Sequence, residues 1–411
     1  MTRSRVMIAG VRVLAIGNAY PPHHLGGYEI ICRGAMRHLR DAGHEARVLT
    51  TDYRRADVEP GAPEDPDVHR ELEWYWRDHA WRSMTPLQRL GLERRNASRF
   101  DRHIREFKPD VVTWWGVGGM SLSLVERARR AGLRSLFFLL DYWPTYGPQE
   151  DLWIRAWARR PRTAAIAERL TGVPTRIHLD IAGRWLFCSE AARQETLATT
   201  DLRIVDYAIL PAGVEDEYLR VAQEDEPPPW GWRLLYIGRV VEQKGIQIAI
   251  EALAVLPPEA RLRIVGEGDP PYRRQLEARA SELRVSDRVV FEAPKPRDEL
   301  FDVYRAADAV VFPVQWTEPW GLVPLEAMAL GRPVVATGRG GSGDYLVDGV
   351  NTLLFEAGDA VALAGALGKI AGDPQLRARL RAGGYETAER NSEETFNRRA
   401  LAEIEAAAGV A

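Results

Sequence analysis

Residues 233–265 of the chain read RLLYIGRVVEQKGIQIAIEALAVLPPEARLRIV. A mainly apolar run covers 233–237 and stops at a glycine, a helical pattern covers 245–256, and a second strand pattern, RLRIV, covers 261–265. Strands that alternate with helices in this way are typical of parallel sheets whose faces are covered by helices. The stretch therefore predicts an open α/β sheet.

The same alternation occurs in both halves of the 411 residues. The first half predicts strands at 11–17, 46–50, 110–115, 135–140 and 184–188; the second half predicts further strands at 289–292, 309–313 and 333–337. A charged, proline-rich linker is expected at 221–230. We therefore expect an α/β protein with two doubly wound Rossmann-like domains that face a central cleft. The expected domains are an acceptor-side domain at 1–210, joined by a C-terminal helix at 391–411, and a donor-binding domain at 211–390.

Charge and cysteine content exclude several classes of function. The chain has 55 Lys+Arg and 58 Asp+Glu, a net charge of -3, so no nucleic-acid partner is expected. The two cysteines, Cys32 and Cys188, lie in separate apolar stretches, which argues against a disulfide framework and favours the cytoplasm. No apolar run reaches the roughly 18–20 residues that cross a bilayer, and peripheral contact with the inner membrane face remains open.

The run TEPWGLVPLEAMALGRPVVA at 317–336 contains two glutamates, Glu318 and Glu326, with seven residues between them. Proline and glycine end a strand here and a helix begins, so exposed backbone N–H groups and a helix dipole could bind a diphosphate. The two carboxylates could bind sugar or ribose hydroxyls; alternatively, they only stabilise the start of the helix. The candidate amides belong to Trp320, Gly321, Leu322 and Val323.

A second run, YIGRVVEQKG at 236–245, places two cations after a strand. Gly238 permits a sharp turn, and Arg239 and Lys244 follow it in the same loop. Both could bind phosphate, Arg239 through a bidentate contact and Lys244 as a point charge; as ordinary loop residues they would be unremarkable. The neighbouring turn contains Gly266 and Glu267.

Together these motifs resemble the retaining glycosyltransferases of family 4, which have the GT-B fold. The resemblance extends over nearly the whole chain and includes PPHHLGGYE at 21–29, RIVGEG at 263–268 and RGGSGDYLVDGVNTLLF at 339–355. It implies transfer of a sugar from a nucleotide-diphosphate donor to an acceptor hydroxyl, with retention of configuration and without a metal or other cofactor. The acceptor class stays open: a sugar, a lipid-linked sugar or a natural-product aglycone.

The resemblance also implies roles for individual residues. Arg239 and Lys244 would neutralise the donor diphosphate, Glu326 would hold the ribose and Glu318 would contact the donor sugar. Gly26 and Gly27 would let their loop approach the phosphates. The D-x-D sequence at 65–67 lies in a proline-rich stretch and is interpreted as a solvated loop, so no metal site is expected.

One departure from the family pattern concerns FFLLDYWP at 137–144. Leu140 stands where many relatives have a histidine that contacts the donor sugar. Asp141 follows it, and could either orient the acceptor or sugar, or cap the next turn. Acceptor contacts are further expected from His23 and His24 in the glycine loop, and from aromatic residues that form either a stacking surface or core packing. These residues are Trp114, Trp115, Tyr142 and Trp143.

Three other functions are alternatives. A dinucleotide-dependent oxidoreductase would need G-x-G-x-x-G after the first strand, where the chain has IGNAYPPHHLGG at 16–27. A non-catalytic sugar-nucleotide-binding protein is suggested by Leu140, and a sugar-nucleotide epimerase would share the architecture. Turnover of labelled donors distinguishes these two from a transferase.

Overall fold

The computed structural model describes residues 10–59, 61–77, 80–222 and 229–410. The chain divides into two compact units, Met1–Leu210 with Phe396–Ala411, and Pro211–Thr395. The centre of the predicted linker, residues 223–228, lies outside the described residues. Within the described part of the chain, no helix combines the length and the apolar character that crossing a bilayer would require.

The first unit is built on a seven-stranded parallel sheet with the order β3-β2-β1-β6-β7-β8-β9. Its strands are β1 (Arg12–Gly17), β2 (Glu45–Thr51), β3 (Val68–Leu72), β6 (Val111–Trp115), β7 (Ser135–Leu139), β8 (Arg184–Phe187) and β9 (Tyr207–Ile209); β4 (Trp76–Arg77) and β5 (Ala80–Trp81) form a separate antiparallel ribbon. The central strands β1, β6, β7 and β8 are mostly apolar and almost fully buried, as expected for a parallel sheet covered on both faces.

The helices of the first unit are α1 (Gly27–Asp41), α2 (Pro86–Phe107), α3 (Ser123–Arg130), α4 (Trp143–Glu150), α5 (Leu152–Ala158), α6 (Pro161–Thr171) and α7 (Glu190–Ala198). Side chains fix where several of them begin. Thr85 accepts a hydrogen bond from the backbone N–H of Gln88 at the start of α2, and Ser189 accepts one from Ala192 at the start of α7. Both are N-cap contacts that satisfy otherwise unbonded N–H groups.

The second unit contains a six-stranded parallel sheet with the order β12-β11-β10-β13-β14-β15. Its strands are β10 (Arg233–Ile237), β11 (Arg261–Val265), β12 (Val289–Glu292), β13 (Ala309–Phe312), β14 (Val334–Ala336) and β15 (Leu353–Leu354). Its helices are α8 (Asp216–Ala222), α9 (Ile246–Leu253), α10 (Pro270–Glu282), α11 (Arg297–Arg305), α12 (Leu322–Ala329), α13 (Ala360–Gly372) and α14 (Pro374–Arg390), and α15 (Glu393–Ala408) follows them. The strand order reverses between β10 and β13.

Every strand predicted from the sequence is present, with bounds that differ by at most one residue, so the expectation of two parallel-sheet α/β units is confirmed. Five strands were not predicted: β3, β9 and β15 lie at sheet edges, and β4 and β5 form the antiparallel ribbon. The three edge strands are short and only partly buried, so they give little apolar signal.

The aromatic residues of the first unit form its core. Trp114, Trp115 and Trp143 are 1%, 2% and 0% exposed. Trp114 stacks on Phe137 with 6.0 Å between ring centroids, and Trp115 stacks on Phe138 at 3.9 Å. Because side chains point alternately to two covered faces of the sheet, both tryptophans of β6 are buried. Of the two alternatives for these three rings, an acceptor-stacking surface and core packing, the structure favours core packing.

Helix α15 packs on the first unit through Phe396, which makes edge contacts with Trp115 and Phe138, each at 6.4 Å between ring centroids. We expect Phe396→Ala to lower the free energy of unfolding of this unit by about 3–5 kcal/mol, because it removes a buried aromatic ring and leaves a cavity. Urea unfolding followed by tryptophan fluorescence measures the change. Val361→Ala, at an exposed position, is the control; an equal, small effect of both variants would refute the packing role of α15.

Candidate functional site

Two of the predicted site residues, Lys244 and Glu318, meet where the strand order of the second unit reverses. In open parallel sheets, ligands bind outside the carboxyl ends of the strands at such a point. Lys244 lies in the loop after β10 and Glu318 in the loop after β13. The Lys244 Nζ and Glu318 Oε2 atoms are 2.6 Å apart, and the two side chains are 14% and 10% exposed. The structure thus joins a predicted cation and a predicted carboxylate.

Aromatic side chains fix the position of this ion pair. The indole N–H of Trp316 donates to the same Glu318 Oε2 at 2.7 Å. The Lys244 ammonium also lies 5.6 Å from the ring centroid of Trp316 and 6.0 Å from that of Phe312. An ammonium over a ring face is attracted by the ring quadrupole. Trp316 was missed in the sequence analysis, although it lies two residues before Glu318.

The loops after β10 and β11 lie against each other because they contain glycines. Gly238 has φ 141° and Gly266 has φ 155°, conformations that other residues rarely adopt. A Cβ at Gly266 would lie 1.9 Å from the carbonyl oxygen of Gly238. The Val240 N–H donates to the carbonyl of Glu267 at 2.8 Å, which joins the two loops. The positive φ angles and the close approach of the two loops explain why glycine is needed at Gly238 and Gly266.

Arg239 is exposed and forms no ion pair with any residue that the structure describes. It therefore does not share the Lys244–Glu318 contact. The Glu267 side chain is likewise exposed. Of the two predicted cations, only Lys244 is held by neighbouring side chains in this structure.

Helix α12 begins directly after Gly321, which has φ 88°. The Trp320 side chain is buried, and its indole N–H donates to the carbonyl of Ala212 at 2.8 Å. The Tyr345 hydroxyl donates to the carbonyl of Gly321 at 2.5 Å. These contacts fix the loop that precedes the first turn, in which Leu322 and Val323 have N–H groups without an intrahelical partner. The Trp320 ring is thus structural, and only its backbone can serve a ligand.

Glu326 lies in the second turn of α12 and is buried by residues of α11. The Tyr304 hydroxyl donates to Glu326 Oε2 at 2.6 Å, and Arg297 donates to Oε1 at 3.1 Å. Arg297 also pairs with Glu215. Burial opposes the charge of Arg297, but the neighbouring carboxylates outweigh burial and raise the pKa of the guanidinium. The sequence analysis found Glu326 but not these partners, which come from other elements.

The predicted glycine loop of the first unit precedes α1. Gly26 is extended and its N–H donates to Glu29 Oε2 at 3.0 Å, while Gly27 is the first residue of the helix. His23 is buried, and its Nδ1 accepts a hydrogen bond from the backbone N–H of Arg55 at 3.2 Å. His24 accepts from the Arg55 guanidinium through its carbonyl. His23 therefore holds two loops together, which corrects its assignment as an acceptor-facing side chain.

Asp141 makes two contacts with helix α4, which begins two residues after it. It accepts a hydrogen bond from the Tyr146 hydroxyl at 2.7 Å and one from the backbone N–H of Trp143 at 3.3 Å. Both favour the capping alternative, in which Asp141 stabilises the turn that follows β7. Tyr142 is buried beside it, so its ring is not presented to an acceptor in this structure.

The D-x-D residues are ion-paired. Asp65 binds the Arg37 guanidinium at 2.7 Å and accepts from the Tyr20 hydroxyl at 2.9 Å, and Asp67 binds Arg47 at 2.9 Å. Residues 65–67, which were interpreted as a solvated loop, are thus attached to α1 and β2 by ion pairs.

The buried carboxyl of Glu29 predicts a pH dependence. Burial raises its pKa from 4.5 to about 7, against the lowering effect of the loop N–H groups. The protonated group contributes fully to stability below pH 4.5, and this contribution is lost as the pH rises through 7. We expect the free energy of unfolding to fall by about 1 kcal/mol per pH unit in this interval from Glu29 alone. Glu29→Gln should flatten that slope in urea titrations; an unchanged slope would exclude Glu29 as its source.

Two families match adjoining parts of the chain. The glycosyl transferase 4-like domain matches residues 26–213, and the family described as glycosyl transferases group 1 matches residues 223–387. The D-inositol 3-phosphate glycosyltransferase of Xylanimonas cellulosilytica is 43% identical over 152 residues, 36% of each chain. The chain thus matches little more than a third of that relative. Sulfoquinovosyl transferase SQD2 of Arabidopsis thaliana is 26% identical over 351 residues, 82% of this chain and 62% of the relative.

Solved structures share the fold over nearly the whole chain. Sucrose-phosphate synthase from Thermosynechococcus elongatus has a TM-score of 0.72 and 21% identity, and covers 98% of this chain and 100% of its own. HepE of Anabaena, in complex with UDP-glucose, has a TM-score of 0.68 and 19% identity, with 96% and 99% covered. The matches agree on the parts of the chain: residues 26–213 form a glycosyl transferase 4-like domain, residues 223–387 form a domain of the glycosyl transferases group 1, and the chain has the GT-B fold.

Proposed function

We propose that the protein is a retaining, metal-independent glycosyltransferase that moves a sugar from a nucleotide-diphosphate donor to an acceptor hydroxyl. The contact of Lys244 with Glu318 at the reversal of strand order carries this proposal. A cation, a carboxylate and the start of α12 all belong to loops at the carboxyl ends of β10 and β13. This is where a parallel sheet binds a nucleotide.

In the proposed complex, the diphosphate accepts hydrogen bonds from the first N–H groups of α12, at Leu322 and Val323, and from Lys244. Arg239, which is exposed, closes on the same phosphates. Glu318 contacts the donor sugar, and Glu326 binds the ribose hydroxyls with its orientation fixed by Tyr304. Gly238, Gly266 and Glu267 shape the neighbouring loops.

The proposed reaction breaks the bond between the anomeric carbon and the diphosphate oxygen. The acceptor hydroxyl forms the new bond on the same face of the sugar, and its proton passes to the leaving phosphate. The negative charge that develops on the diphosphate is stabilised by Lys244 and the amides of α12, which are already in place, and by Arg239 once it closes on the phosphates. Charge is therefore neutralised by protein groups, and no metal is needed for this step.

Binding of nucleotides tests the first half of the proposal. Calorimetric and thermal-shift titrations with UDP, GDP, ADP and TDP should identify one base, because a ligand that binds only the folded state raises its stability. Labelled donors with that base then test turnover, and NMR of the product gives its anomeric configuration. Binding without turnover would favour a sugar-nucleotide-binding protein, and interconversion of the donor sugar without an acceptor would favour an epimerase.

A further inference from the structure

A second group of polar side chains lies in the first unit, outside the proposed transferase site. His69 and Glu71 are two residues apart on the edge strand β3, so they point to the same face of the sheet. His103 lies on α2 and is buried. Possible ligand atoms of these three residues all lie within 4.8 Å of one another.

The distances within this group fit a small metal ion. The His103 Nε2 and Glu71 Oε2 atoms are 3.2 Å apart, and the His69 Nδ1 and Glu71 Oε1 atoms are 3.7 Å apart. Two ligands bound to Zn²⁺ at about 2.0–2.1 Å in a tetrahedral arrangement are about 3.3 Å apart. Small rotations of the two partly exposed side chains, His69 and Glu71, are sufficient to place all three atoms around one ion.

The orientation of His69 is set by a carboxylate on its far side. Its Nε2 lies 2.7 Å from Asp67 Oδ1, which leaves Nδ1 directed towards Glu71. Histidines that bind metals commonly donate their second N–H to a carboxylate in this way, which fixes the ring and increases its basicity. Asp67 is itself held by Arg47.

One cation has to move for an ion to bind. Arg102 pairs with Glu71, and its terminal nitrogen lies 3.4 Å from His103 Nε2. The Arg102 side chain is 44% exposed, so it can turn into water when an ion replaces it. The ion pair of Arg102 with Glu71 would be lost, and such a solvent-exposed pair contributes little to stability. In its place, His69, Glu71 and His103 would each form a coordinate bond with the ion.

We propose that His69, Glu71 and His103 form a binding site for a divalent transition metal of the Zn²⁺ class. Two imidazoles and one carboxylate suit zinc better than magnesium, which prefers oxygen ligands. The bound ion links the edge strand β3 to α2 and stabilises the first unit. The site is separate from the donor site, and the diphosphate chemistry does not depend on it.

The test uses the full chain, freed of metal with a chelator and titrated with ZnCl₂ in a calorimeter. We expect one ion per chain, a higher midpoint of thermal unfolding with Zn²⁺, and no such shift with the same concentration of MgCl₂. Co²⁺ should give visible absorption bands of a four-coordinate site. His69→Ala and Glu71→Gln, at partly exposed positions, should abolish the calorimetric binding of Zn²⁺, the shift of the unfolding midpoint and the Co²⁺ absorption bands.

Two further variants make the test specific. Asp67→Asn should weaken Zn²⁺ binding by about 10–100-fold through loss of the contact with His69; Asn tolerates the positive φ of 56° at this position. His38→Ala, in α1, is the matched control and should bind Zn²⁺ as the parent does. The proposal is overturned if the parent binds no Zn²⁺, or if His69→Ala and Glu71→Gln bind it unchanged.

Discussion

Replacing Lys244 by alanine is expected to lower kcat/KM for the donor by about 10²–10³-fold, the usual loss when a group that stabilises developing charge is removed. Lys244 is held by Glu318 and by two aromatic rings, so its ammonium is already positioned before the donor binds. The leaving diphosphate would then lack its best-positioned cation.

Two variants separate this effect from a change in folding. Lys244→Met keeps the aliphatic stem against the Trp316 and Phe312 rings but removes the charge, and it should lose as much activity as the alanine variant. Lys369→Ala, at an exposed position of α13, should behave as the parent. Circular dichroism and the midpoint of thermal unfolding verify that each variant is folded. Near-normal turnover of folded Lys244→Met would contradict the role of the cation.

The second large effect is expected for Glu318→Gln, which should lower kcat/KM by about 10–100-fold, the value of a hydrogen bond to a charged group. Glutamine has nearly the same shape and can still accept from the Trp316 indole N–H. It removes the charge that contacts Lys244 and, in the proposed complex, the donor sugar. Steady-state kinetics with the donor identified by the nucleotide panel measures the loss.

A double-mutant cycle tests whether the two residues act together. Because their side-chain atoms are 2.6 Å apart, the losses for Lys244→Ala and Glu318→Gln should not add, and the double variant should lose less than the product of the single effects. Glu356→Gln, at an exposed position, is the control for the carboxyl-to-amide change. Strict additivity would mean that the two side chains contribute independently.

The sequence predicts the fold closely where strands are continuous apolar runs. For β10 and β11, which lie inside the sheet, the predicted and observed bounds coincide, because strands covered on both faces are mostly apolar. The partly buried edge strand β12 was also predicted with its observed bounds, from the apolar residues Val289, Val290 and Phe291. The edge strands β3, β9 and β15 are short or polar and were not predicted. Helix α2 was not predicted, because the region between the strands at 46–50 and 110–115 is rich in Arg and Trp and does not show a clear alternation of strands and helices.

The candidate site was predictable only in part, because a motif identifies individual residues but not the partners that lie far away in the sequence. Lys244 and Glu318 were predicted because each lies in a recognisable sequence motif, at 236–245 and at 317–336. Tyr304 and Arg297, which hold Glu326, lie on another helix and follow no motif. For Trp114, Trp115 and Trp143 the sequence left two alternatives open, and the structure favours core packing because helices cover both faces of the sheet.

The central claim is that Lys244 and the start of α12 hold the diphosphate of the donor. Calorimetry with the preferred nucleoside diphosphate and with its nucleoside, on the parent and on Lys244→Ala, tests it most directly. We predict that the diphosphate binds the parent more tightly than the nucleoside does, and that Lys244→Ala loses most of this difference while its affinity for the nucleoside is unchanged. An equal preference for the diphosphate in both proteins would contradict the claim.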